Sequence, residues 1–194
     1  MRAAAPRVSS TLEPPGGVLV WIIVFVETVT FGLGLVALAA SRRGEPDVFA
    51  AGRATLHQPL AFANTLVLLT GGWLMARALA SMRRGAPQTA GRLVSGAIAS
   101  GVVFMALKGV EYAQKLGHGL GLHHDAFFTY YWLLTAFHLM HVAVAVVLLL
   151  FAARGIRLGR LTPLDHADLQ SCGVFWHMCD VIWLLLYPTL YLLG

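Results

Sequence analysis

The sequence predicts an all-α polytopic membrane protein, a bundle of five transmembrane helices, and three observations carry that expectation. The chain is 58% hydrophobic and only 12% charged, with mean hydropathy +0.72, outside the range of soluble domains. Five apolar runs each exceed the roughly 20 residues that span a ~30 Å hydrocarbon core at ~1.5 Å per residue. The basic residues sit between those runs rather than along one stripe. A net charge of +5 therefore bears on membrane orientation and not on nucleic acid, which is not an expected partner. No soluble domain of any size fits beside the runs.

Residues 1–17 form a short polar lead with Pro6, Pro14 and Pro15, expected to lack regular structure, and residues 18–194 form the membrane domain. The first helix is expected over 18–40. It is too long for a signal-peptide core and carries Glu27, so it is retained. Gly32 and Gly34 suit close helix contact in lipid. A polar connection, 41–58, contains Gly44, Pro46 and Gly52. The second helix is expected over 59–81, with Pro59 in the first turn, where a missing N–H does no harm. After the turn RRGAPQ come helices over 92–116, 127–153 and 169–193. No internal repeat is visible.

The last run, SCGVFWHMCDVIWLLLYPTLYLL, organises the rest. It holds His177 and Asp180 at transmembrane depth, three apart and so on one helix face. An acid there costs roughly 2.5–3.5 kcal/mol on insertion scales unless it finds a partner or a wet cavity. Trp176 and Trp183 give the same helix a large packing surface, and Cys172 and Cys179 are small packing residues too far apart along it to bridge.

Loop charge sets the orientation. Nine basic residues fall on the amino-terminal side: Arg2, Arg7, Arg77, Arg83, Arg84, Arg92, Arg154, Arg157 and Arg160. Four fall on the other: Arg42, Arg43, Arg53 and Lys115. The amino terminus is thus expected in the cytoplasm and the carboxyl terminus outside.

Helical rise then sorts the intramembrane polar residues by depth. Glu27, ~14 Å into the first helix, joins His138, His141, His177 and Asp180 in a central layer. Asn64, Lys108 and Glu111 make an outer amide–ammonium–carboxylate group. Such residues default to a functional hypothesis. Three histidines and two carboxylates at one depth suit a metal or haem site, although they do not form the Glu-x-x-His pattern of di-iron bundles. Paired imidazole and carboxylate also serve as interhelical glue or a proton relay, with His138 or His141 as a further partner for Asp180. Lys108 and Glu111 suit an i, i+3 ion pair. Phe127, Phe128, Tyr130, Tyr131 and Trp132 suit an interfacial belt, and His57, His118, His123, His124 and His166 lie in connections.

In order along the chain stand WIIVFVET, PLAFANTLVLL, LKGVEY, AFHLMHV and VFWHMCDVIWLLLYPTLYL. Together these resemble the cytochrome c oxidase subunit III family, in its shorter five-helix form. Within it, LKGVEY, FFTYYWLLTAFHLMHV and the FWHM…LLYP ending are most similar to the NorE-type proteins of bacterial nitric oxide reductase. The resemblance implies a non-catalytic accessory subunit in the bacterial inner membrane. It would bind no cofactor itself and would pack against a large catalytic subunit bearing haem and metal. The main expectation is thus a NorE-like partner of nitric oxide reductase, the alternative being subunit III of a quinol or cytochrome c oxidase. The resemblance also places Glu27 at the family's membrane-buried, carbodiimide-reactive carboxylate, a region tied to proton uptake and to phospholipid binding. His138, His141, His177 and Asp180 fall at positions of structural polar contacts. Gln170, in DLQSCG, stands where many oxidase members have glutamate.

Overall fold

The computed structural model describes residues 14–193; most of the amino-terminal lead lies outside them. Five helices are long and apolar enough to cross a membrane: α1 (Val18–Gly44), α3 (Gln58–Arg83), α4 (Pro87–Gly117), α5 (Ala126–Arg157) and α6 (Ala167–Tyr187). A short helix, α2 (Pro46–Ala54), lies between the first two of these. The described residues contain no strand.

Local chemistry accounts for the ends. Proline opens α2, α3 and α4 in the first turn, where its fixed φ suits a helix and no N–H is needed. His57 Nδ1 accepts the Leu60 N–H (3.2 Å) before α3, and Asp125 Oδ1 accepts the Phe128 N–H (2.8 Å) before α5. Gly85, at φ +78°, makes the tight turn between α3 and α4. At the far end Pro188 cannot donate to the preceding turn, and the helix widens into a π turn over Pro188–Leu192.

Helices α3, α4, α5 and α6 form a closed four-helix ring, and α1 lies outside the α5–α6 edge. Burial follows that order. Eleven residues of α6 are buried but only Val20, Phe31 and Leu38 of α1, most of whose apolar surface is open. Trp176 and Trp183 are fully enclosed at the centre of the ring.

Four features differ from sequence expectation. The stretch 41–58 is not a simple polar connection: α1 continues to Gly44, and α2 buries Phe49 edge-on to Phe127 (5.8 Å). α4 starts at Pro87 rather than 92: the proline suits a first turn and Ala90 is fully buried, while Thr89, Ala90 and Gly91 add too little hydropathy to mark the start in the sequence. The expected aromatic belt is largely core, with Phe127, Phe128 and Tyr131 buried. Of the two glycines on α1, Gly34 abuts Leu134 whereas Gly32 faces open space.

Three successive carbonyls at the end of the π turn each receive a side chain from elsewhere. Gln58 Nε2 donates to Tyr191 O (3.0 Å), Arg53 Nη1 to Leu192 O (3.2 Å) and Arg42 Nη1 to Leu193 O (3.1 Å). These donors satisfy acceptors that a terminating helix leaves open.

Candidate functional site

The central layer divides into two pairs and one solitary ring. On α5, His141 Nδ1 donates to the Phe137 carbonyl one turn back (2.8 Å), since a carbonyl can only accept. Its other nitrogen, Nε2, then faces Glu27 Oε2 across the α1–α5 contact at 3.2 Å. The two atoms are in close contact without forming a hydrogen bond, and that carboxylate oxygen has no other partner.

On α6, His177 Nδ1 lies 3.2 Å from Asp180 Oδ2. Asp180 is the buried member and points at α3, where Gly72 leaves room for its carboxylate. Beside it Gly71 admits the edge of Trp176 together with Ser100, whose hydroxyl donates to Val67 O (2.9 Å). Asp180 Oδ1 and Trp176 Nε1 are buried without a hydrogen-bond partner.

His138 is solitary and wholly buried. Its ring stacks on Trp183 (5.1 Å, 27°) and meets Phe104 edge-on (5.8 Å), and neither nitrogen has a hydrogen-bond partner. The expectation that His138 or His141 joins Asp180 is therefore corrected. Residues three apart on a helix diverge by ~60°, enough here to send His141 toward α1 and His138 into the ring. Among the described residues, no three His, Cys, Asp or Glu side chains gather as metal ligands.

The outer layer is tighter. Lys108 Nζ donates to Glu111 Oε2 (3.1 Å), Tyr131 OH (3.2 Å) and Tyr191 OH (3.0 Å). Both tyrosines donate in turn to Glu111 Oε1, at 2.8 and 2.7 Å. The ammonium also lies over the Tyr112 ring (4.9 Å), whose hydroxyl donates to Thr135 (2.8 Å). All three ammonium hydrogens are used and the opposite charges are paired, so the group is satisfied within the bundle. Asn64 is not part of it. Its amide donates to Phe104 O (3.3 Å), and its Oδ1 is unpartnered. Tyr131 and Tyr191 are the members that sequence reasoning missed, and the signal for them was tyrosine inside apolar runs, where a hydroxyl demands a partner.

A cavity of about 830 Å³ opens between α1, α5 and α6 at the amino-terminal end of α1. Its wall is apolar, with Leu19, Ile23, Leu148 and Phe175, and Arg154 and Arg160 stand on it.

Comparison with known proteins converges on one family. A family model for cytochrome c oxidase subunit III matches residues 52–194, which takes in α3 to α6 and leaves α1 outside. Cytochrome c oxidase subunit 3 of Marchantia polymorpha is 30% identical over 134 residues, 69% of this chain and 49% of the relative. The chain thus spans about half the length of that plant protein. The subunit 3 of Corynebacterium diphtheriae is 24% identical over 192 residues, covering 97% of this chain and 94% of the relative. Subunit 3 of the cytochrome bo(3) ubiquinol oxidase of Pseudomonas aeruginosa is 23% identical over 143 residues, 74% of this chain and 68% of its own. These relatives are named for oxidases, and the nitric oxide reductase expectation gains no support from them. With five membrane-length helices and a family match over most of its length, the chain belongs to the cytochrome c oxidase subunit III family.

Proposed function

We propose that the chain is a non-catalytic subunit III of a haem–copper terminal oxidase, packing against a catalytic subunit that holds the haem and metal. The observation that carries this is the outer cluster of Lys108, Glu111, Tyr131 and Tyr191. Its donors and acceptors are spent on one another, which supports a bundle built for rigidity rather than for turning over a substrate. The oxidase names of the relatives favour this partner over nitric oxide reductase.

Within that role, the Glu27–His141 pair is a proton-holding group at the α1–α5 contact. The cavity at the same contact takes phospholipid acyl chains against Leu19, Ile23, Leu148 and Phe175, with the phosphate at Arg154 or Arg160. Arginine and lysine bias supports a cytoplasmic amino terminus and a periplasmic carboxyl terminus in a bacterial inner membrane.

Purification of the tagged chain from its native membrane tests the proposal. The expected product contains a haem-bearing oxidase subunit, identified by mass and by its absorption spectrum. The isolated chain should show no Soret band. Recovery of nitric oxide reductase instead would replace the partner, and a Soret band in the isolated chain would overturn the non-catalytic role.

A further inference from the structure

The histidine of the α6 pair is the exposed one. His177 keeps 43% of its side-chain surface open, against 10% for Asp180. It lies at mid-depth, because its partner Asp180 meets Gly72, near the middle of α3. Lipid cannot satisfy an imidazole there, and ionisable groups at such depth face protein or a wet cavity.

The other exposed polar side chains at that level illustrate the difference. Thr28, Thr30 and Thr70 each return their hydroxyl hydrogen to the carbonyl one turn back, at 2.7, 2.9 and 2.7 Å. Lipid tolerates them. His177 Nδ1 is engaged with Asp180, and Nε2 has no hydrogen-bond partner among the described residues.

Nε2 is therefore a polar atom that needs a hydrogen-bonding neighbour from outside the bundle. The surface beside it is shaped, and apolar apart from the ring. A groove of about 320 Å³ runs between α1 and α6, with Trp21, Val174, His177 and Val181 on its walls. On the flanking α3, the indole of Trp73 is exposed with Arg77 set 5.4 Å from its centre.

We infer that the face formed by α3, α6 and α1 around His177 is where the catalytic subunit docks. One of its transmembrane helices packs along the groove and sets a hydrogen-bonding side chain or carbonyl against His177 Nε2. This rests on the accessory-subunit role proposed above.

Photocrosslinking in the assembled complex tests it. A photoreactive phenylalanine analogue replaces Val181 on this face, Val103 on α4 or Met140 on α5, all exposed positions. Irradiation of native membranes should join the chain to the haem-bearing subunit from position 181 and not from 103 or 140. In parallel, Val181→Trp should lower the haem recovered per tagged chain about tenfold, while Val103→Trp leaves it unchanged. The helical circular dichroism of the isolated Val181→Trp chain should equal wild type, which separates lost docking from lost folding. Crosslinks from 103 or 140 instead, with wild-type recovery of haem intact, overturn the face and leave the accessory role standing. Crosslinks from 181 only to lipid or to a second copy of this chain also overturn the face. Failure of the wild-type chain to bring down any haem-bearing subunit overturns the underlying role.

Discussion

Asp180 of α6 lies against the bare backbone of Gly72 on α3, and any side chain at position 72 would occupy the space of its carboxylate. The α3–α6 contact is therefore as close as it is because one partner has no Cβ. Gly72→Ala should force the helices apart or turn Asp180 away, at about 1–3 kcal/mol for an overpacked core. Adding Asp180→Ala should recover part of that loss. Thermal unfolding of the purified variants in detergent checks the coupling, which independent sites would not show.

The burial difference within the His177–Asp180 pair makes its two single variants unequal. His177→Leu strands the buried carboxyl, whereas Asp180→Ala strands a ring already half open. His177→Leu should be the more destabilising, by about 1–3 kcal/mol for an unsatisfied buried polar group. The double variant should be no worse than His177→Leu alone. Melting temperatures of the three variants decide the order.

Glu27→Gln retains the shape of the side chain and its contact with His141 but removes the titratable proton. Assembly should survive, measured as haem recovered per tagged chain, while steady-state turnover of the complex falls if the pair serves proton uptake. Loss of assembly in this variant would assign Glu27 a structural role.

In the outer cluster Tyr191→Phe removes the bonds to Lys108 and Glu111 together, and about 1–3 kcal/mol should go with them. Lys108→Met should cost more, about 3–5 kcal/mol, because it leaves the Glu111 charge buried without its counter-charge. Chemical denaturation of both variants measures the difference.

How much of this was legible in the sequence depends on range. The five long helices follow from apolar length, which is a local property, and so does the pairing of His177 with Asp180 or Lys108 with Glu111 within one helix. Cross-helix partners did not follow. Glu27 and His141 were placed at one depth, but only packing decides that α1 turns its carboxylate to that ring and not to His138. Asn64 shares a level with Lys108 yet bonds to a backbone carbonyl, because depth alone does not specify rotation about a helix axis. The role of Gly72 was invisible for the same reason, since a glycine in an apolar run does not announce which side chain will fill its space.

The three side chains that hold Tyr191, Leu192 and Leu193 come from the end of α1, from α2 and from the start of α3. All three donors precede their acceptors by more than a hundred residues, and so enter the membrane first during synthesis. The outer rim of the bundle therefore stays unlatched until α6 has threaded. A chain stalled before Tyr187 would display two unengaged guanidinium groups, and Lys108 would lack one of its two tyrosines. Completion of the fold is in this way registered at a single rim, where these three bonds close together.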